Sequence, residues 1–335
     1  MENADKKFLA KTFQEEEVKR RCCIYPWCQE KAINSHVFQQ NGILSDMSIK
    51  GHLMVLESPD IWKINFETSE ISDISLHVKK RWIKDAYSFP WFCNTHDTWI
   101  FFPIEHDIYQ VDFHEYKNQL LFSYRWLCNE LHRKIVAHAF QSRVFDKLLD
   151  NEDYDRAEYL SYSKDWMKAW IGSLEKFKVM MESEIFNTDN EYQFTFQTFT
   201  FPRFDVWISV ALSVLLKNYT DADGIRDYKQ WLQLPNQFIN IFPLLDKSIV
   251  IIGEHKDFHS DFFDFLIKKF SKCSSLEEYQ SILSDLITAR LEFWCMSPVL
   301  FSTLNQKKLN EYIKFYDKNI NSHELDLHSW INIFN

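Results

Sequence analysis

Glycine is scarce in this chain: five in 335 residues, Gly42, Gly51, Gly172, Gly224 and Gly253, each isolated from the others. No glycine-rich loop is present to cradle a phosphate, which excludes a P-loop enzyme and a Gly-x-Gly-x-x-Gly dinucleotide-binding domain. A Gly-x-Ser-x-Gly nucleophile elbow is missing as well. Proline is also sparse, at eight residues, so few positions are fixed as tight turns. No run of 18 apolar residues occurs, and no membrane span is expected. The start, Met-Glu-Asn-Ala-Asp, has no apolar stretch of the signal-peptide kind, so a cytoplasmic protein is expected. A basic excess is lacking too. Residues 1–110 carry 13 basic and 16 acidic side chains, a net of −3, and residues 111–335 carry 25 and 32, a net of −7. Neither half has the footprint of a dedicated nucleic-acid binder. Local patches at Lys19-Arg20-Arg21 and Lys79-Lys80-Arg81 keep nucleic-acid contact open, although such runs also serve as solvated faces.

What is abundant is apolar and aromatic. Hydrophobic residues make up 46% and aromatics 17%, including 30 Phe and 12 Trp. That is enough for a sizeable core and argues against disorder. The length suggests two domains, or one with a large extension. Seven cysteines in a reducing compartment read as metal ligands or core residues sooner than as disulfides.

Hydrophobic periodicity gives an α+β chain. Residues 4–20 read as a helix. Short alternating runs, His52–Leu56 and Trp62–Phe66, read as strands. Two long helices are expected at about 115–149 and 155–185, from apolar positions recurring at three and four such as Leu120, Leu121, Tyr124, Leu127, Cys128 and Leu131. Alternation over Tyr192–Phe201 and two apolar runs over 238–253 predict a small sheet near 190–255. Residues 203–217 read as a buried helix, and helices return at 257–272, 275–295 and 304–317. The expected organisation is an N-terminal module, 1–110, followed by a mostly helical domain, 111–335. The linking boundary falls between about 108 and 190.

Two half-sites carry the chemistry. Cys23-Ile-Tyr-Pro-Trp-Cys28 is a Cys-x4-Cys knuckle, with Pro26 presetting a turn at its tip. Cys22 is an alternative to Cys23 as its first ligand. Cys93-Asn-Thr-His96 is a Cys-x2-His pair, and residues three apart at a helix start share one face. Three thiolates and one imidazole close a tetrahedral zinc shell, the pattern of a structural site. Cys128, Cys273 and Cys295 lie in helical apolar patterns and read as packing residues.

A knuckle, a hairpin region and a helix carrying the second ligand pair together resemble a treble clef, and with it the HNH, or His-Me finger, nuclease superfamily. The resemblance covers roughly residues 20–108. It implies that His36, eight residues after Cys28, is the general base that activates water. It also implies that Asp97, beside the last zinc ligand, holds a catalytic Mg²⁺ or Mn²⁺ in addition to the structural Zn²⁺. The chain departs from the family pattern at Ser35, where an acidic metal ligand is common. The orienting asparagine has only Asn34, Asn41 or Asn65 as candidates. Glu105 and His106 could join the site from the end of the same helix. Read without the resemblance, His36 is a structural histidine near a helix start at Phe38, and Asp97 complements a helix N-terminus.

The segments Ser35–Leu44, Phe92–Asp97 and Phe101–Glu105 are also similar to a set of bacterial proteins with the same half-sites, some of which look like mobile or phage-defence cargo. The leading expectation is a metal-dependent nuclease acting on DNA or RNA, with the second domain recognising a protein partner or trigger. The other is a non-catalytic interaction protein with a purely structural zinc module. His255 and His259 share one face near a helix start and read as a solvated helix end. The stripe of Tyr124, Arg125, Trp126, His132, Arg133 and His138 reads as core.

Overall fold

A computed structural model describes residues 3–19, 21–37, 40–57, 77–187, 191–212, 237–289, 291, 293–319, 329 and 331–334. In chain order, helix α1 (Asn3–Glu17) is followed by strand β1 (Asn34–His36), a π turn over Gln40–Leu44 and the single turn α2 (Ser45–Met47). Next come β2 (His52–Glu57), β3 (His77–Trp82), β4 (Ser88–Pro90) and α3 (Asn94–Glu105). The long helices α4 (Tyr116–Asp150) and α5 (Tyr154–Phe186) form where the periodicity placed them. After them lie β5 (Phe194–Pro202), β6 (Val206–Leu212), β7 (Gln237–Pro243) and β8 (Lys247–His255). The remaining elements are α6 (Asp261–Lys272), α7 (Leu276–Ala289), β9 (Trp294–Met296), α8 (Pro298–Thr303) and α9 (Gln306–Asn319). The expected strand at Trp62–Phe66 lies outside the described residues.

The fold is α+β, but the sheet is not the small one expected near 190–255. Seven strands pair antiparallel in the order β3-β2-β9-β6-β7-β8-β5. Its outer strands β2 and β3 come from before residue 110, so strands from both sides of that expected boundary share one sheet. β9 joins them: Met54 pairs with Met296, and Val206 pairs with Met296 on the other side. The run Val206–Leu212, expected as part of a helix over 203–217, is β6, with Ile208 opposite Ile241. Apart from Ser209 the run is apolar because both faces of the sheet are covered, and such a run has no period of two to show.

The two faces can be followed along β5. Phe194, Phe196 and Thr198 point one way. Phe196 packs edge-on against Tyr116 of α4, and Gln119 of α4 donates to Thr198 Oγ1 at 2.8 Å. Phe199 and Phe201 point the other way and stack on Phe270 of α6 and Tyr279 of α7. The alternation follows from the strand period. Phe196 stands over its cross-strand partner Gly253, whose missing side chain leaves room for the ring. The N-terminal half of α4 is buried on every side from Asn118 to His132, between the sheet and the N-terminal elements. Asn240 Nδ2 of β7 donates to Ser123 Oγ of α4 at 3.3 Å, and Ser209 Oγ of β6 donates to Asn240 Oδ1 at 2.5 Å. The far end of α4 packs with α1 and α5 around Leu9, Phe140, Val144 and Leu160. Among the described residues no helix is long and apolar enough to cross a membrane.

Candidate metal centre

β1 pairs antiparallel with β4, with Ser35 opposite Phe89, and β4 runs through Trp91 and Phe92 into α3. The knuckle is tied to this unit by its backbone. Cys23 N–H donates to Glu30 O at 2.7 Å and closes the loop. Ile24 N–H donates to Trp91 O at 3.1 Å, and Ile33 N–H to Phe92 O at 2.7 Å. At the tip, Cys28 N–H donates to Tyr25 O at 3.0 Å. Pro26 and Trp27 are thus the two central turn residues. Trp27 has φ +65°, the positive value that the second central position of a type II turn demands.

These elements bring together the four residues expected as ligands. One ligand atom each from Cys23, Cys28, Cys93 and His96 lies within 4.8 Å of every other. His96 presents Nδ1, 3.1 Å from Cys93 Sγ and 3.5 Å from Cys23 Sγ, and the Cys28 and Cys93 sulfurs are 3.9 Å apart. A tetrahedron with Zn–S of about 2.3 Å and Zn–N of about 2.0 Å has edges of about 3.5–3.8 Å. The group therefore fits a tetrahedral ion such as zinc. Of the two adjacent candidates, Cys23 belongs to the group, while Cys22 is exposed. Tyr25 stacks on the His96 ring at 3.9 Å and 17°, and Trp99 and Phe186 meet Tyr25 edge-on. Burial pushes the Cys23 thiol up to about 11. Burial also raises Cys93, but N–H groups at the start of α3 and the neighbouring thiols outweigh it and hold that thiol below its usual value. Cys93 thus has help in supplying the thiolate a metal requires.

His36 and Asp97 lie outside this group and hold separate partners. His36 is half-buried on β1, and its Nε2 lies 2.9 Å from Lys84 O. A carbonyl only accepts, so Nε2 carries the proton and Nδ1 is the basic nitrogen. Ser35 is buried and points to the opposite face of the strand. Of the orienting candidates, Asn34 donates to Ser88 Oγ at 3.2 Å. Asn65 lies outside the described residues, and the side chain of Asn41 is not described. The orienting group on the His36 ring is the Lys84 carbonyl, which no side-chain motif could have signalled. Asp97 Oδ2 lies 3.6 Å from Arg125 Nη2, and Glu105 Oε1 accepts from the same guanidinium. Among the described residues Asp97 Oδ1 is buried without a hydrogen-bond partner. His106 stacks on Phe102.

Elsewhere the α4 stripe is core as expected, but His255 is buried as the last residue of β8 and is not on a solvated helix end. Tyr124, Trp126 and His132 are buried in the core. His259 lies between β8 and α6, 2.5 Å from Glu254 Oε1 and 3.2 Å from Asp264 Oδ2. No protein-family model, curated protein or solved structure matches the chain.

The core histidine has a pH consequence. His132 packs against Phe89 and Trp91. Burial pushes its imidazole down to about 4, and the charges of Arg21 and Arg133 act in the same direction. An unfolded histidine titrates near 6.5. The folded state therefore resists protonation: the stabilisation is complete above about pH 6.5 and is lost as pH falls through 4. Urea unfolding of wild type and His132→Gln at pH 7.5 and pH 4 should show the difference. The variant is expected to lose about 3 kcal/mol less stability than wild type over that interval. Equal losses would show that His132 is protonated as readily in the folded chain as in the unfolded one.

Proposed function

We propose that the chain is a metal-dependent nuclease of HNH-like type that cleaves DNA or RNA phosphodiesters in the bacterial cytoplasm, on a treble-clef-like scaffold held by one zinc ion. The observation that carries this reading is the state of His36. It stands on the first strand of an antiparallel pair whose second strand leads directly into the metal-ligand helix. Its Nε2 is occupied by the Lys84 carbonyl, which leaves Nδ1 as the nitrogen that accepts a proton from attacking water. Cys23, Cys28, Cys93 and His96 hold the structural ion, and His36 does the proton chemistry. The unpartnered Asp97 Oδ1 is the oxygen offered to a divalent ion. A bound Mg²⁺ or Mn²⁺ would offset charge developing on the phosphate. In this reading the activity would serve antiviral defence.

The ion pair between Asp97 and Arg125 favours a second reading. If that pair is the whole role of Asp97, the module is structural, and residues 111–335 bind a protein partner without catalysis.

Purified protein is assayed on mixed DNA and RNA with Mg²⁺ or Mn²⁺, beside His36→Ala. Loss of a general base costs about 10²–10⁴-fold in rate. Cleavage by wild type that falls at least a hundredfold in the variant, with zinc content equal in both, is the expected result. Absence of cleavage with either ion, or cleavage unchanged in His36→Ala, would overturn the nuclease reading.

A further inference from the structure

The turn that holds His36 also builds a flat aromatic surface. Lys84, whose carbonyl meets His36, is two residues beyond Trp82 at the end of β3. Trp82 pairs across the strands with His52, and the two rings lie 3.8 Å apart at 35°. Below the indole is the tight turn between Ile49 and His52, which donate to each other's carbonyls at 3.0 and 3.1 Å. Both central residues of that turn have positive φ, Lys50 at +52° and Gly51 at +71°. Gly51 is needed twice over, for its backbone angle and because a β-carbon there would come within 3.3 Å of the Trp82 ring. Trp82 is nevertheless 51% exposed. An aromatic ring this firmly seated and this open presents a stacking face rather than a core contact.

Its surroundings are basic in an acidic protein. The chain carries a net charge of −10, yet residues 77–85 hold Lys79, Lys80, Arg81 and Lys84 against Asp85 alone, and Lys50 adds a further charge from the turn. Lys50, Lys80 and Lys84 are all exposed. Lys80 precedes Trp82 by two residues and shares its face of β3 by the strand period. Lysines also protect an edge strand from pairing with other chains. That role does not explain a seated, exposed tryptophan among them.

We propose that Trp82, backed by His52 and flanked by Lys50, Lys80 and Lys84, is a stacking platform for an unpaired base of single-stranded nucleic acid. The strand's backbone phosphates would lie along the lysines toward His36. An aromatic face with adjacent cations is the chemistry by which single strands are gripped without sequence preference, and a duplex hides the base faces it needs. The inference takes its substrate class from the nuclease reading and its site from the geometry of the β2–β3 turn.

Binding is measured by fluorescence anisotropy with the full zinc-loaded chain and no added Mg²⁺ or Mn²⁺, so that cleavage does not interfere. The probes are labelled single-stranded DNA, single-stranded RNA and the matching duplex. Stacking is worth about 1–3 kcal/mol per base, or roughly 5- to 150-fold in affinity. Trp82→Ala is expected to weaken single-strand binding about tenfold or more, and Trp82→Phe to keep it within about threefold. Lys84→Ala is expected to lower the salt dependence by about one phosphate contact. The platform is overturned by unchanged single-strand affinity in Trp82→Ala, by preference for duplex, or by no binding of nucleic acid at all; a protein docking on Trp82 would give the last result. If cleavage depends on His36 while Trp82→Ala binds normally, the nuclease reading survives and the platform fails. If Trp82-dependent binding occurs without cleavage, the reverse holds.

Discussion

The purified chain should contain one equivalent of zinc, and Cys23→Ser or Cys93→Ser should lose both the metal and the ordered structure of the module around it. The expectation rests on how little else fixes the knuckle. Between Arg21 and Ala32 the backbone is held by a handful of main-chain bonds and by a turn with Trp27 at positive φ and fully exposed to solvent. A segment with so little apolar burial cannot offset its own ordering entropy. Zinc contributes about 10–16 kcal/mol in isolated finger peptides, and here that energy would order the knuckle and seat His96 under Tyr25. The rest of the protein has its own support. Ile100, Phe101 and Ile104 of α3 are buried, and the seven-stranded sheet has a core on both faces. Hydrogen exchange should therefore lose protection over residues 21–37 and 88–97 when zinc is removed, and keep it over β7 and β8. Cys22→Ser, which alters an exposed thiol outside the group, should keep zinc and full protection. Equal protection in the metal-free and metal-bound protein would mean that packing alone builds the site.

That site was legible in the sequence because its information is local. Each half-site is a short loop in which spacing fixes geometry: four residues around Pro26 in one, and a single helical turn after Cys93 in the other. The 56 residues between His36 and Cys93 do not weaken it, since β1 and β4 pair whatever lies between them. The choice of Cys23 over Cys22 also followed from loop length. The sheet was less legible, because its pairings are distant in the chain. Trp294–Met296 shows no strand period in three residues, and it becomes β9 only because β2 and β6 stand on either side. Val206–Leu212 reads as well for a helix as for a strand until both faces of the sheet are seen to be covered. The surroundings of the candidate catalytic residues were not legible at all. The Lys84 carbonyl at His36 is a backbone atom, the Trp82–His52 stack depends on strand register, and the partner of Asp97 lies on another helix.

That partner gives the second large effect. Arg125→Met should cost about 3–5 kcal/mol, as removing one side of a buried charge network does. Arg125 is 3% exposed on α4 and reaches α3 at two points, Asp97 and Glu105, with its guanidinium 4.5 Å above the Phe101 ring. Methionine fills much of the same volume, so the loss would come from two carboxylates left without their cation in a poorly hydrated place, and less from packing. The sign can be checked in one series of variants. Adding Asp97→Asn and Glu105→Gln to Arg125→Met should restore most of the stability, because no charge is then stranded. Arg125→Lys should recover only part of it, since an ammonium lacks the two-pronged reach needed to meet both acids. Because Asp97 follows the ligand His96 directly, Arg125→Met should also loosen the metal site and raise the rate of zinc loss to a chelator. Urea unfolding and a chelator competition on the same samples separate the two effects. A stability change under about 1 kcal/mol in Arg125→Met would mean that the carboxylates find water when the cation is removed. Asp97 would then be accessible enough to hold a catalytic ion itself.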